Sequence, residues 1–144
     1  MTVYTPLSLF SVGLFTTLNV SAVTTLATGG VHDSIPQSAR FPMVLYDVSE
    51  IDESAFGSHP GSGIGSMVRV RLRCYIYSTF DGMAECQAIL TAIKNLLKTP
   101  FSVTGYNVPA VFYLQAIPVG DELVAGVKVK ELTADWECHV EEAA

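Results

Sequence analysis

The sequence predicts an α+β fold, a two-layer sandwich in which a mainly antiparallel sheet of about four strands carries helices on one face. Three observations point to it. Residues 67–79, MVRVRLRCYIYST, alternate apolar and polar side chains, the period of a strand with one buried face. Residues 83–97 place Met83, Cys86, Ile89, Leu90, Ile93, Leu96 and Leu97 at helical spacing. The elements follow in the order helix, helix, strand, strand, helix, strand, strand, which gathers the helices on one side of the sheet.

Taken in order, Pro6 suits a first helical turn, and Leu7, Phe10, Leu14 and Leu18 then form one face. Val23 and Leu26 continue in a second helical piece after Asn19, and Thr28-Gly29-Gly30 stops it. Residues 41–48, FPMVLYDV, read as a strand with Pro42 at its start, where a missing N–H costs least. Pro36 and Pro42 restrict the residues before them. They either stiffen a crossing segment that holds this strand at a defined edge or merely punctuate a surface loop. Residues 50–66, rich in Gly and Ser, form a long flexible loop. After the 67–79 strand, Asp81 is the expected N-cap of the next helix, with Glu85 in its first turn and Lys94 and Lys98 toward its end; Thr99-Pro100 stops it. Residues 101–109 connect to a strand at 110–119. A turn is expected at Gly120-Asp121, then a last strand over Val124–Val140 in which Leu132, Ala134, Trp136, Cys138 and Val140 alternate with polar residues. Residues 141–144 read as a frayed tail.

The chain of 144 residues fits one domain, residues 1–144. Its net charge of −6 argues against a tight grip on phosphate backbones. A hydrophobic fraction of 49% with only 15% charged residues is rich for a small globule and predicts self-association. The first thirty residues carry no charge, yet they lack the basic start of a signal peptide, and Ser, Thr and Asn interrupt them too often for a membrane span. Asn19-Val20-Ser21 matches a glycosylation sequon, which means little without secretion.

No chemistry-bearing constellation emerges. Cys74, Cys86 and Cys138 are odd in number, lack a CxxC spacing and read as buried apolar side chains. With His32, His59 and His139 they match no metal-ligand pattern, and no cofactor is expected. The GSGIGS run at 61–66 lacks the Lys of a phosphate loop and precedes a strand rather than a helix. Arg69, Arg71 and Arg73 form the one basic stripe. Three readings stay open: ion pairs within the sheet with Glu131, Asp135 and Glu137, the same pairs between subunits, or contact with DNA. Tyr75 and Tyr77 share this face and suit an interface, whereas Trp136 is expected in the core.

The order of these landmarks resembles the bacteriophage tail completion or tail terminator family, which includes proteins of gene transfer agents. The residues that carry the resemblance are the helix ending at Thr28-Gly29-Gly30, the GVHDSIP stretch with Pro36, the Pro-led strand FPMVLYD, the Gly/Ser-rich loop, the basic strand VRVRLRCYIYS running into GMAECQAILTAIKNLL, and the closing VKVKELTADWEC. It covers nearly the whole chain and lies in order and spacing rather than in one motif. The long Glu50–Ser66 loop and the charge-free start depart from it. The resemblance implies a non-catalytic ring, typically hexameric, at the head-proximal end of the tail tube, ending tube growth and meeting the head connector. The implied partners are further copies of the chain, the tail tube protein and the neck or head connector protein. DNA passes through the channel without tight binding, and no membrane is involved. The implied location is the virion tail, after assembly in the host cytoplasm. Within the 50–66 loop, Phe56, His59, Pro60 and Ile64 are the expected contacts to tube or neck. A neck or head-completion ring is the alternative.

Overall fold

The alternation read at 67–79 lies at the centre of the observed sheet. Strand β3 (Met67–Ser78) buries Val70, Leu72, Cys74 and Ile76 on one side, while Arg69, Arg71 and Arg73 point to the other. The computed structural model describes residues 7–52, 67–80, 82–98, 101–103 and 106–142. Among them, β3 lies between β2 (Met43–Asp52) and β6 (Val127–Glu142) and is antiparallel to both. Beyond β6 runs β5 (Tyr106–Val124), then β4 (Phe101–Val103); beyond β2 lies β1 (Val31–His32), the one parallel neighbour. The mixed sheet thus has six strands in the order β1-β2-β3-β6-β5-β4, more than the four or so expected. β1 and β4 are two and three residues long, too short to show a period.

Helices α1 (Leu7–Leu18), α2 (Ser21–Thr24) and α3 (Ala84–Leu97) contribute to one apolar core with the inward rows of the strands. Leu14, Leu18, Val23 and Ala27 join Cys86, Ile89, Ile93 and Leu97 against Leu72, Ile76, Ala134 and Trp136. Burial of this apolar surface is the main stabilising term. Leu26, expected on the inward helical face, is exposed, and Ala27 occupies the inward position instead. No helix among the described residues is long and apolar enough to cross a membrane.

Several boundaries differ from the sequence reading. Asp81 lies outside the described residues, and the N-cap position of α3 is Met83, without a side-chain cap. The helix start is tied down differently. Buried Ser78 donates to Glu85 at 2.5 Å and accepts from the Phe80 N–H at 2.9 Å, joining the end of β3 to the first turn of α3. β2 continues to Asp52, into the span expected as loop, and residues 53–66 lie outside the described residues. β6 continues to Glu142, where fraying was expected.

The largest difference concerns the last hairpin. Gly120-Asp121 is not a turn but part of β5, which runs on for three further residues to Val124. Gly120 adopts φ 95° beside a register shift, so its conformational freedom serves a β-bulge. The turn is Ala125-Gly126, a two-residue loop closed by the Val124–Val127 pair. Both residues have positive φ, 51° and 78°, the signature of the I′ turn that matches strand twist.

The segment between α2 and β2 is clamped by its backbone. The Gly29 N–H donates to the Pro42 carbonyl at 2.7 Å, and the Val44 N–H donates to the Gly30 carbonyl at 3.0 Å. The prolines therefore bound a crossing that returns to the glycine pair and sets the start of β2. A Cβ on Gly29 would sit 1.8 Å from the Arg40 carbonyl oxygen, a backbone atom that cannot step aside.

Gly29→Ala is accordingly expected to lower stability by about 3 kcal/mol or more, read from urea unfolding. Loss of less than about 1 kcal/mol would show that the clamp relaxes freely. Ala125→Asn is expected to raise stability by about 0.5–1 kcal/mol, because Asn tolerates positive φ better than Ala; an unchanged unfolding midpoint would count against strain at the turn.

Candidate functional site

The face of the sheet away from the helices carries a charged ladder built by register. Arg73 lies opposite Asp135, Arg71 opposite Glu137 and Arg69 opposite His139 across β3 and β6. Arg73 Nε and Nη2 donate to the two Asp135 carboxylate oxygens at 2.7 and 3.2 Å, a bidentate pair. Gln115 on β5 donates to the same carboxylate at 3.3 Å. Asp135 is only 2% exposed, so one acid joins three strands. Burial pushes its carboxyl up, but the hydrogen bonds from Arg73 and Gln115, with the positive charges of Arg73 and Arg71, outweigh it and hold the pKa below the usual carboxylate value.

A looser group stands beside it. Arg69 Nη1 lies 3.7 Å from Glu137, whose other oxygen meets His139 Nε2 at 3.0 Å, and the His139 ring packs against Phe112 at 4.9 Å between centroids. A half-exposed pair at that distance contributes roughly 0.5 kcal/mol. Glu131 accepts from Thr133 at 3.1 Å and lies opposite Tyr77 rather than an arginine. Arg71 is exposed and, with Arg73, Asp47 and Ser49, lines a shallow polar hollow of ≈ 140 Å³. Of the six ladder residues picked out in the sequence, two Arg–acid pairs thus meet at salt-bridge distance: Arg73 with Asp135, and Arg69 with Glu137. The alternation of the last strand already places His139 with Asp135 and Glu137; Gln115 and Asp47 were not singled out as members of this face, because their membership depends on strand register, which one sequence does not display. Phe56, His59, Pro60 and Ile64 lie outside the described residues.

The aromatic pair on this face is largely covered by the chain itself. Tyr77 is buried with Met43, Leu45, Val124 and Val129, and Tyr75 packs at the margin of that second cluster. Apolar side chains remain uncovered elsewhere, along β5, where Phe112, Leu114, Ile117, Val119 and Leu123 are exposed. Tyr113 is anchored, edge-on to Trp136 at 5.5 Å and beneath Lys94 of α3 at 4.2 Å.

The cysteines offer no nucleophile. Burial pushes the Cys86 thiol to about 11 and the Cys138 thiol to about 12, and it raises Cys74 further still. His32 donates from Nε2 to the Gly29 carbonyl at 2.8 Å and so braces the glycine turn.

Comparison with known proteins gives two results in agreement. The profile of the family described as tail completion protein gp17 matches residues 14–108, more than half of the chain. A solved chain from the virion of a native gene transfer agent particle superposes with a TM-score of 0.74 at 14% identity, covering 96% of this chain and 99% of that one. At that identity the likeness is one of fold. No curated protein matches by sequence.

The Asp135 cluster generates a pH-dependent outcome. Asp135→Asn is expected to lower stability by about 1–3 kcal/mol at neutral pH, because Arg73 loses its charged partner. A lowered folded pKa stabilises the fold above the unfolded value near ~4 and ceases to do so as pH falls through the folded value. The difference between wild type and Asp135→Asn should therefore shrink as pH drops below ~4. Urea unfolding across a pH series checks this; a difference constant with pH would refute an ionic role.

Proposed function

The chain belongs to the tail completion protein gp17 family, structural components of the phage virion, and from that premise we propose that its copies close into a ring, six in number, at the head-proximal end of a phage-like tail tube. The ring ends tube polymerisation and presents the surface on which the head connector docks. The family match carries this reading, and the fold shared with a chain of a gene transfer agent virion supports it.

The mechanism is geometric rather than catalytic. One ring face binds the last tube ring; the other offers no template for another, so growth stops. The two-layer α+β sandwich, residues 1–144 acting as one domain, is the rigid frame of each subunit. Residues of the 50–66 segment, with Phe56, His59, Pro60 and Ile64 at its contacts, meet the tube or the neck. The arginine ladder holds the sheet, and at its exposed member, Arg71, it meets a neighbouring subunit. The net charge of −6 suits a channel through which DNA slides without being held. The ring is assembled in the host cytoplasm and needs no cofactor.

Tail tubes assembled with and without the chain, viewed by electron microscopy, test this reading. The expected result is ring-shaped density at one tube end and tubes of fixed length only when the chain is present. Density on capsid necks alone, with tube length unchanged, would replace this reading with that of a neck ring. Deleting residues 54–64 is expected to leave tube-end rings intact while joining to heads falls to background; normal joining would remove the contact role of that segment.

A further inference from the structure

We infer that adjacent copies join head to tail, the β5–β6 hairpin of one seating its tip in a groove between α1 and β1 of the next. This rests on the ring reading above and names the two surfaces that would build it.

The donor is the uncovered side of β5. From Ala110 onward no described strand lies on its outer edge, since β4 pairs only with residues 106–108. Phe112 and Ile117, opposite Glu137 and Thr133, share the ladder face, Leu123, opposite Lys128, lies on the other, and Leu114 and Val119 sit at the register shifts; together they expose on the order of 500 Å² of side chain along this margin. Spread over both faces rather than gathered into one patch, this is more than half of the roughly 800 Å² that one partner contributes to a stable interface. The backbone is poorly suited to recruiting a further strand. Pro118 lacks an N–H, and register shifts near residues 108, 114 and 119 interrupt the ladder. The side chains, not the peptide groups, are therefore the binding elements.

The acceptor lies at the opposite edge of the sheet. Val12 and Phe15 of α1, with Val31 of β1 and Tyr46 of β2, line a hollow of ≈ 430 Å³, large enough for one or two aliphatic side chains. Val12 is 64% exposed on its wall, on a helix that carries no charged residue. Asp33 belongs to the groove; Lys128, 74% exposed, stands opposite Leu123 at the hairpin tip and 3.5 Å from Asp121 of its own hairpin, a surface pair with which Asp33 of the next copy would compete. Leu123 is 76% exposed and is the side chain that enters. Donor and acceptor at opposite edges of one chain make a heterologous contact, the kind that closes into a ring.

Single-cysteine exchange tests the pair, because the native cysteines are buried. Full-length Leu123→Cys and Phe15→Cys proteins are mixed under mild oxidation, alone and on tail tubes. A disulfide-linked dimer in the mixture, and in neither protein by itself, is expected. Leu123→Asp, which introduces a charge into an apolar seat, should weaken self-association about tenfold or more without changing the circular dichroism spectrum. Rings that form at tube ends with no mixed crosslink and with Leu123→Asp as competent as wild type would overturn this interface and leave the ring reading standing. A crosslink within Leu123→Cys alone would assign a symmetric hairpin contact and overturn it too. Loss of tube binding with rings intact would assign the hairpin to the tube protein instead. Wild type that never assembles at tube ends would sink both readings.

Discussion

A carboxylate that is 2% exposed sets the terms for the rest of this molecule. Asp135 cannot remain charged in that position unless its oxygens are occupied, and Arg73 from β3 and Gln115 from β5 occupy them. Sliding β6 by one residue would turn Asp135 toward the helices and Trp136 toward water. The cost of either event exceeds what small loop adjustments recover. One acid therefore enforces the register of three strands and, through them, decides which face the helices cover.

From that register follows an unequal division of the two faces. The helix side is closed by a continuous apolar core reaching from Leu14 to Leu97. The other side is a polar ladder except where Phe41, Met43 and Leu45 meet Tyr77 beneath the hairpin at Val124 and Val129. The high apolar content of the chain is thus spent on two cores and one uncovered strand edge. Among the described residues, six of the twelve large apolar side chains left exposed lie on β5, and the rest, Val12, Phe15, Leu26, Ile35, Phe80 and Val127, are spread over the helices, loops and hairpin.

Much of this could be read before any coordinates. Strict alternation at Val70–Ile76 and Leu132–Val140 reflects strands with one dry face, and the stripe of α3 reflects a helix lying on them; both faces are then determined by the period alone. Cys74, Cys138 and Trp136 fell in the core for the same reason. What escaped lacked a period or competed with a stronger local signal. β1 and β4 are too short, and β5 is apolar on both sides, carries Pro109 and Pro118 and shifts register three times, so it looked shorter than it is. Gly120-Asp121 outranked Ala125-Gly126 as a turn because glycine in a bulge and glycine in a turn share the same backbone freedom. The ladder's acids and arginines were visible, but which pairs meet at bonding distance depended on register, as did the arrival of Gln115.

The interruptions of β5 have a consequence for the chain before it joins anything. A long greasy strand at an open margin is the usual seed of amyloid, which needs about six consecutive residues stacking in step. The register shifts leave no more than five residues of β5 in step with β6, and Pro118 lacks an N–H, so the open margin of the folded chain is a poor template for an added strand. That protection belongs to the folded state alone, because residues 110–117 form a proline-free, largely apolar run once the sheet opens.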